Sequence, residues 1–315
     1  MRSIICMVFL LATVLAQAQP VKRWGQLSVK GTRLVDAKGA PVLLRGTSFG
    51  WDNWHPRYYN EAAVRWLARD WKVSVVRAAM GIEPEGAYND SAARSIARVE
   101  AVIRGAVEAG IYVIVDWHSH NRNDAEATAF FRTMARKWGR YPNVIWEIFN
   151  EPDQESWAEV KAYATGIIRA IRAEDPDNLI LVGCPHWNTD LNLVAQDPIR
   201  GVSNIMYTMH FYAAAHKQYL RDRCDGALAK GIPLFISECG SMEPTGDGRL
   251  DLEEWGRFQR WAEARGISWV IWSVSDKYES CSVLWKGAPA NGGWQENDLK
   301  PWGVFIRRQL RALNP

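Results

Sequence analysis

The chain has 315 residues, with 38 Lys and Arg against 35 Asp and Glu, a formal net charge of +3, and 48% of its residues apolar. That length supports one large α/β domain with a full core. The two signs of charge are intermixed with no basic run, so neither a nucleic-acid partner nor an anionic membrane surface is expected.

The chain opens Met1-Arg2-Ser3, continues as an apolar run from Ile4 to Leu15, and leaves through Ala16-Gln17-Ala18. A basic start, a short apolar stretch and small residues at the exit form a secretory signal peptide over residues 1–18. Cleavage after Ala18 leaves residues 19–315 as a single catalytic domain, exported to the periplasm or the medium. The run is too short to span a membrane, and no later segment reaches the roughly 20 apolar residues a span needs. Cys6 leaves with the signal; Cys184, Cys224, Cys239 and Cys281 remain and permit three full pairings in an oxidising compartment. No Cys/His cluster has zinc-ligand spacing, and no metal or cofactor is expected.

Leu27–Gly31 and Arg33–Asp36 form a small hairpin, with turn signals at Lys30-Gly31 and Lys38-Gly39. A strand–helix alternation then repeats. Its strands are predicted over residues 42–46, 74–77, 111–116, 144–148, 179–182, 205–209, 234–237 and 269–272, short and nearly continuous in apolar residues, as buried parallel strands are. Amphipathic helices lie between them: Ile96, Val99, Ile103, Ala106 and Val107 make one apolar stripe, and Val160, Ala164, Ile167, Ile168 and Ile171 another. Asp90, Asp124 and Asp251 stand at helix starts, and Gly110, Gly139, Gly231 and Gly266 follow helix ends. Eight βα units predict a (β/α)8 TIM barrel with a small N-terminal hairpin, whose active site lies at the C-terminal ends of the strands.

Polar and aromatic residues gather at those ends: Arg77 after the second strand, Trp117-His118 after the third, Asn150-Glu151 after the fourth, His210-Phe211-Tyr212 after the sixth, Glu238 after the seventh and Trp272 after the eighth. Glu151 and Glu238 end apolar runs on different strands, so their carboxylates can face each other across a cleft, which is the equipment for cleaving a glycosidic bond. Ion pairing is the structural alternative for a strand-end Glu, since such groups are seldom buried unpaired. Two such glutamates among six decorated strand ends favour chemistry. Glu147, also facing inward, is expected to pair with Arg45 or Arg77. The chain carries 17 tryptophans, several in apparent loops, such as Trp51, Trp54, Trp187, Trp285 and Trp294. A large rigid aromatic face stacks well on the apolar side of a sugar ring.

Seven segments together resemble glycoside hydrolase family 5, above all its bacterial endo-1,4-β-glucanases: Leu44–Gly46, Val76–Gly81, Val115–His120, Glu147–Pro152, Thr208–Ala213, Ser237–Gly240 and Trp272–Ser280. The resemblance implies that Glu151 is the acid/base and Glu238 the nucleophile of a retaining double displacement. It implies that Asn150 holds the sugar's 2-hydroxyl, that Arg77 and Tyr212 hydrogen-bond Glu238, and that His118 and His210 line the reacting subsite. Trp272 would be its stacking floor, Trp54 a donor-side platform and Trp187 a platform on the leaving-group side, with Lys277 and Glu279 as polar hooks at the far donor end. On that assignment, Arg77 and Tyr212 should favour the charged form of Glu238, while an apolar cleft and a like charge should favour the neutral form of Glu151. Two departures stand out: Cys239 follows the nucleophile where many relatives carry an aromatic, and Phe49-Gly50-Trp51 stands where some relatives have a His.

The expected partner is a β-1,4-linked glucan or cello-oligosaccharide, bound by a monomer. A β-mannanase or a xyloglucan or mixed-linkage glucanase shares the same machinery, and a non-catalytic carbohydrate-binding protein is the alternative from another class. Cys239 and Cys281 sit just past the ends of neighbouring strands, so a disulfide is expected there; Cys224, on a helical face with Leu220 and Leu228, is expected to pack.

Overall fold

The computed structural model describes residues 19–314, so the expected signal segment lies outside the described residues. A one-turn helix α1 (Pro20–Trp24) and the hairpin β1 (Ser28–Lys30) and β2 (Arg33–Val35) come first. There follow β3 (Arg45–Phe49), α2 (Glu61–Trp66), β4 (Val75–Gly81), α3 (Ala92–Ala109), β5 (Tyr112–His118), α4 (Asp124–Trp138), β6 (Val144–Glu147), α5 (Trp157–Arg172) and β7 (Ile180–Val182). The short helices α6 (Pro185–Asn188) and α7 (Leu191–Val194) precede β8 (Ile205–Tyr212), α8 (Gln218–Ala229), β9 (Leu234–Gly240), α9 (Leu252–Arg265), β10 (Trp269–Val274) and α10 (Pro301–Leu313). Strands β3 to β10 pair in parallel and in order, and β10 closes on β3. The expected (β/α)8 barrel with its N-terminal hairpin is the fold the chain adopts.

Two apolar layers hold it. Val75, Tyr112, Ile114, Ile145, Leu181, Met206, Phe235 and Val270 point into the barrel, where Leu27, Leu34, Val42 and Leu44 join them. The second layer lies between strands and helices and takes up both stripes: Val99, Ile103 and Ala106 of α3, and Val160, Ala164, Ile167, Ile168 and Ile171 of α5 are all buried, while Ile96 and Val107 pack against it. Alternation along each strand divides the side chains between the layers.

The first barrel strand lies further along the chain than predicted. Val42 and Leu44 are apolar because they pack with the hairpin, whereas β3 is Arg45-Gly46-Thr47-Ser48-Phe49, whose buried Thr and Ser hid it from an apolar-run search. Gly46 is there for space: a Cβ on it would lie 1.7 Å from the Val75 carbonyl oxygen of β4. Helix ends mostly follow local rules. Asp251 caps α9 by accepting from the Glu254 amide, and Gly110 and Gly266 end α3 and α9 in the left-handed conformation. Gly139 does not: its φ is −60°, and it serves instead by leaving room for Asp175, whose Cβ would be 2.6 Å from an added Cβ.

The expected Cys239–Cys281 bridge is absent, and all four cysteines of the described residues are free. Adjacent strands do not put the two thiols on the same side of the wall. Cys239 turns into the strand–helix layer, its Sγ 3.2 Å from the Val270 carbonyl oxygen, while Cys281 lines the cleft beside Glu279. Cys224 packs in the core, as expected.

Candidate active site

Most strands run on through the polar residues that were expected to end them, so the floor of the site is built largely on strand backbone, with Asn150, Glu151 and the cleft-side Trp54, Trp187, Lys277 and Glu279 added from the segments that follow the strands. β4 carries Arg77, β5 Asp116 and His118, β6 Glu147, β8 His210 and Tyr212, β9 Ser237 and Glu238, and β10 Trp272. Asn150 and Glu151 follow β6 directly. The β8–β9 register shifts between Thr208 and His210, and the β9–β10 register between Trp269 and Ile271. That irregularity lets the successive residues Ser237 and Glu238 both bond to groups inside the barrel, instead of alternating across the sheet.

Arg77 is the hub. It is fully buried and donates from Nε to Glu147 (2.7 Å), from one terminal nitrogen to Glu238 (3.0 Å) and from the other to Asn150 Oδ1 (2.6 Å), with Asp116 also at 3.0 Å. The partner of Glu147 is therefore Arg77; Arg45 pairs with Glu263 on the outside. The Tyr212 hydroxyl donates to the second oxygen of Glu238 at 2.5 Å. His210 lies 2.7 Å from Glu151 through Nδ1 and 2.9 Å from the Ser237 hydroxyl through Nε2. Donor oxygens of Glu151 and Glu238 and a His210 nitrogen all lie within 4.8 Å of one another. Three donors so close have the proximity of a cation site, but here His210 Nδ1 and Glu151 Oε1 already satisfy each other. His118 bonds Asp116 at 2.6 Å and stacks on Trp272, with centroids 5.2 Å apart and planes 3° from parallel. Asn150 Nδ2 is buried and has no partner among the described residues.

Three buried carboxylates, Asp116, Glu147 and Glu238, and the part-buried Glu151 thus surround two cations, and their titrations are linked. Burial raises Glu238, and the nearby charge of Glu151 raises it further, against His210 and Arg77. Burial also opposes the charge on Glu151, but its hydrogen bond to His210 and the positive groups around it, Arg77 among them, together outweigh this and lower it. His210 is pushed up to about 9: burial opposes its charge, and the neighbouring carboxylates of Glu147, Glu151 and Glu238 together overcome that. These directions reverse the expected ones. Sequence placed Arg77 beside Glu238 but could not show that Arg77 is shared with three other acceptors, or that Glu151 has a cation of its own.

A cleft of about 690 Å³ opens above these groups. Glu151, Glu238, His118, His210, Tyr212, Trp272, Trp54, Trp187, Lys277 and Glu279 all line it, while Arg77 and Asn150 lie buried beneath. Every site residue expected from sequence is therefore in or under one cleft. Trp54 and Trp187 are 51% and 47% exposed, leaving large indole faces open in the cleft. Lys277 sits 5.5 Å from the Trp54 ring and pairs with Glu279 at 2.5 Å. Trp187 is held in an unusual way: His186, Trp187 and Asn188 are consecutive non-glycine residues at φ 51°, 52° and 61°. Asn188 fixes this left-handed segment, accepting from the Cys184 amide at 2.8 Å and donating to the Asn150 carbonyl oxygen.

Sequence reasoning missed several members. His120 reaches within 3.6 Å of Glu151, and Trp51 packs edge-on to His118 at 4.3 Å. Asp116 lies two residues before His118 on the same strand face, a spacing that could have revealed it. His120 stands inside one of the seven segments but carries no local sign of where it turns, whereas Trp51 is among the loop tryptophans expected to stack on sugar, though not as a neighbour of His118. Ser237 and Asn188 gave no signal, because their roles depend on a bulge and on left-handed backbone.

Known proteins are similar to this chain. An endoglucanase of Clostridium saccharobutylicum is 37% identical over 99% of this chain and 72% of its own length. A solved protein of Cytophaga hutchinsonii superposes with a TM-score of 0.92 at 42% identity, over 94% of this chain and 98% of that one. The catalytic domain of a Thermobifida fusca endoglucanase, solved with cellotetraose, gives 0.88 at 34% identity, over 93% of this chain and 100% of that one. Against the curated relatives it matches, this chain spans between 57% and 72% of their length. The sequence model for cellulase (glycosyl hydrolase family 5) matches residues 35–278. With that match, and with relatives of this identity over almost its whole length, the chain belongs to glycosyl hydrolase family 5.

Proposed function

We propose that the protein is an exported endo-β-1,4-glucanase that cleaves internal bonds of cellulose or soluble β-glucan with retention of configuration. The observation that carries this is the approach of Glu151 and Glu238, oxygen to oxygen within 4.8 Å, at the floor of an aromatic-lined cleft. Retaining glycosidases hold their carboxyls about 5–5.5 Å apart, and inverting ones about 6.5–9.5 Å, to leave room for a water. Glu238 attacks the anomeric carbon while Glu151 gives a proton to the departing glycosidic oxygen. Glu151 then takes a proton from a water, whose oxygen displaces Glu238 from the same carbon. Arg77 and Tyr212 hold the Glu238 carboxylate in line, and the unpaired Nδ2 of Asn150 is free to donate to the sugar's 2-hydroxyl.

The proton that Glu151 needs is held between it and His210. In the open cleft His210 carries it; a sugar oxygen arriving beside Glu151 draws it across that 2.7 Å bond. Trp272 is the stacking floor of the reacting subsite, with His118 fixed against it. Trp54, with Lys277 and Glu279, serves the donor side, and Trp187 the leaving-group side. All these groups come from one chain, which supports action as a monomer. The leading segment at residues 1–18 supports export, and the cellotetraose bound by the Thermobifida fusca relative supports a β-1,4-glucan as substrate.

The test is a product profile on carboxymethyl-cellulose, β-glucan, mannan and xylan. Cello-oligosaccharides released from the first two, faster than any product from mannan or xylan, are the expected result. Faster release from mannan would overturn the substrate assignment while leaving the carboxylate pair in place.

A further inference from the structure

On the outer side of the loop that carries Lys277 and Glu279 lies a second depression of about 270 Å³. Tyr278 and Trp285 stand in its lining, 94% and 45% exposed. The nearly buried Lys300 lies between them, its Nζ 5.8 Å from the Tyr278 centroid and 5.3 Å from that of Trp285. The same Nζ donates to the carbonyl oxygens of Lys277 (2.7 Å) and Glu279 (2.8 Å). It therefore pins the loop from behind and turns its charge toward the two rings. Asp247 and Ser280 bond each other at the edge. The Trp285 indole N–H has no protein partner among the described residues.

Tyr278, almost wholly exposed, gains little for folding, and Trp285 leaves nearly half its area in water, where it contributes nothing to the core. They are worth having as faces for a ligand. Glu279 lines both the depression and the cleft, so the two lie on either side of one short loop. The loop over residues 277–280 is thus a low wall with aromatic surface on each side, Trp54 within and Tyr278 and Trp285 without. What suits such a surface is an extended ribbon with flat apolar faces and hydroxyls along its edges, long enough to cross the wall. A β-1,4-linked glucan chain has that form.

We propose that Tyr278, Trp285 and Lys300 form a second carbohydrate site, which holds the part of a β-1,4-glucan chain that extends past the donor end of the cleft. The proposal rests on the reading of the cleft as a β-1,4-glucan site. Stacking on Tyr278 and Trp285 supplies the contact, and the indole N–H, Lys300 and Asp247 offer hydrogen bonds to ribbon hydroxyls. The site acts only on chains too long for the cleft, so it raises affinity for polymer and leaves short substrates alone.

The test uses the double substitution Tyr278→Ala with Trp285→Ala, two exposed residues outside the cleft. In a Glu238→Gln background, which spares the gel, retardation by hydroxyethyl-cellulose gives the apparent affinity for a long chain. In the active protein, turnover of an aryl β-cellobioside reports the cleft alone. The proposal expects the apparent dissociation constant for hydroxyethyl-cellulose to rise about tenfold, as for losing an aromatic anchor, with aryl cellobioside turnover within about twofold of the parent. Unchanged retardation overturns the site and leaves the cleft reading standing. Turnover that falls together with retardation also overturns it, because the substitutions would then be acting through the cleft. A parent protein that neither hydrolyses the aryl cellobioside nor is retarded by hydroxyethyl-cellulose defeats the cleft reading, and the second site with it.

Discussion

A single proton shared between His210 and Glu151 governs how this site should respond to pH. In the proposed mechanism Glu238 must be ionised to attack, and burial together with the charge of Glu151 raises it above the usual carboxylate value. Activity should therefore fall on the acid side at a pH higher than an ordinary Glu would give. On the alkaline side the Glu151–His210 pair must keep its proton, and His210 holds it up to about 9. Activity is thus fully present well below that value and is lost as the pH rises through it. The expected kcat/KM profile on cellotetraose is a bell with its alkaline limb near 9. His210→Gln should move that limb down and lower kcat/KM by roughly a hundredfold, the scale of a general acid's contribution. An alkaline limb that does not move would show that His210 has no part in the acid's protonation. Glu151 and Glu238 were legible in the sequence because each leaves an apolar strand at its catalytic end. The charge balance around them was not, because it depends on Arg77 touching Asp116, Glu147, Asn150 and Glu238 at once.

The strands explain why the site holds its geometry. Their central residues are buried on both faces, so side chains placed on them have little freedom, whereas a loop site would need separate bracing. Seven of the eight barrel strands were legible as apolar runs, though the runs stopped short of the polar residues through which β4, β5, β8 and β9 continue. β3 was misplaced by three residues because its own side chains are polar and the apolar residues before it belong to the hairpin layer. Its identity rests on Gly46, where the backbones of β3 and β4 are too close for any side chain. Gly46→Ala would press a methyl group onto the Val75 carbonyl oxygen, 1.7 Å from its Cβ. Denaturant unfolding should show a loss of about 3 kcal/mol or more, the upper range for overpacking. A loss under about 1 kcal/mol would mean that β3 and β4 are not paired in the register found.

At the scale of the whole molecule, hydrophobic layers rather than crosslinks hold the barrel together. Cys184, Cys224, Cys239 and Cys281 are all free and buried, and burial pushes all four thiols up, away from the reactive thiolate form. The melting temperature should be the same with and without a reductant. A fall of several degrees on reduction would show that a bridge forms after all. The disulfide was misread because strand adjacency shows which residues are neighbours but not which side of the sheet wall each thiol occupies; the bulge in β9 decides that for Cys239.

The same barrel wall sets Glu151 against Glu238, and their short separation is the basis for assigning a retaining double displacement. The direct measurement is the anomeric configuration of the first sugar released from cellotetraose, followed by proton NMR before mutarotation. The β-anomer appearing first, with its loss in Glu238→Gln, is the result this mechanism requires. The α-anomer appearing first would contradict it, whatever the substrate preference proves to be.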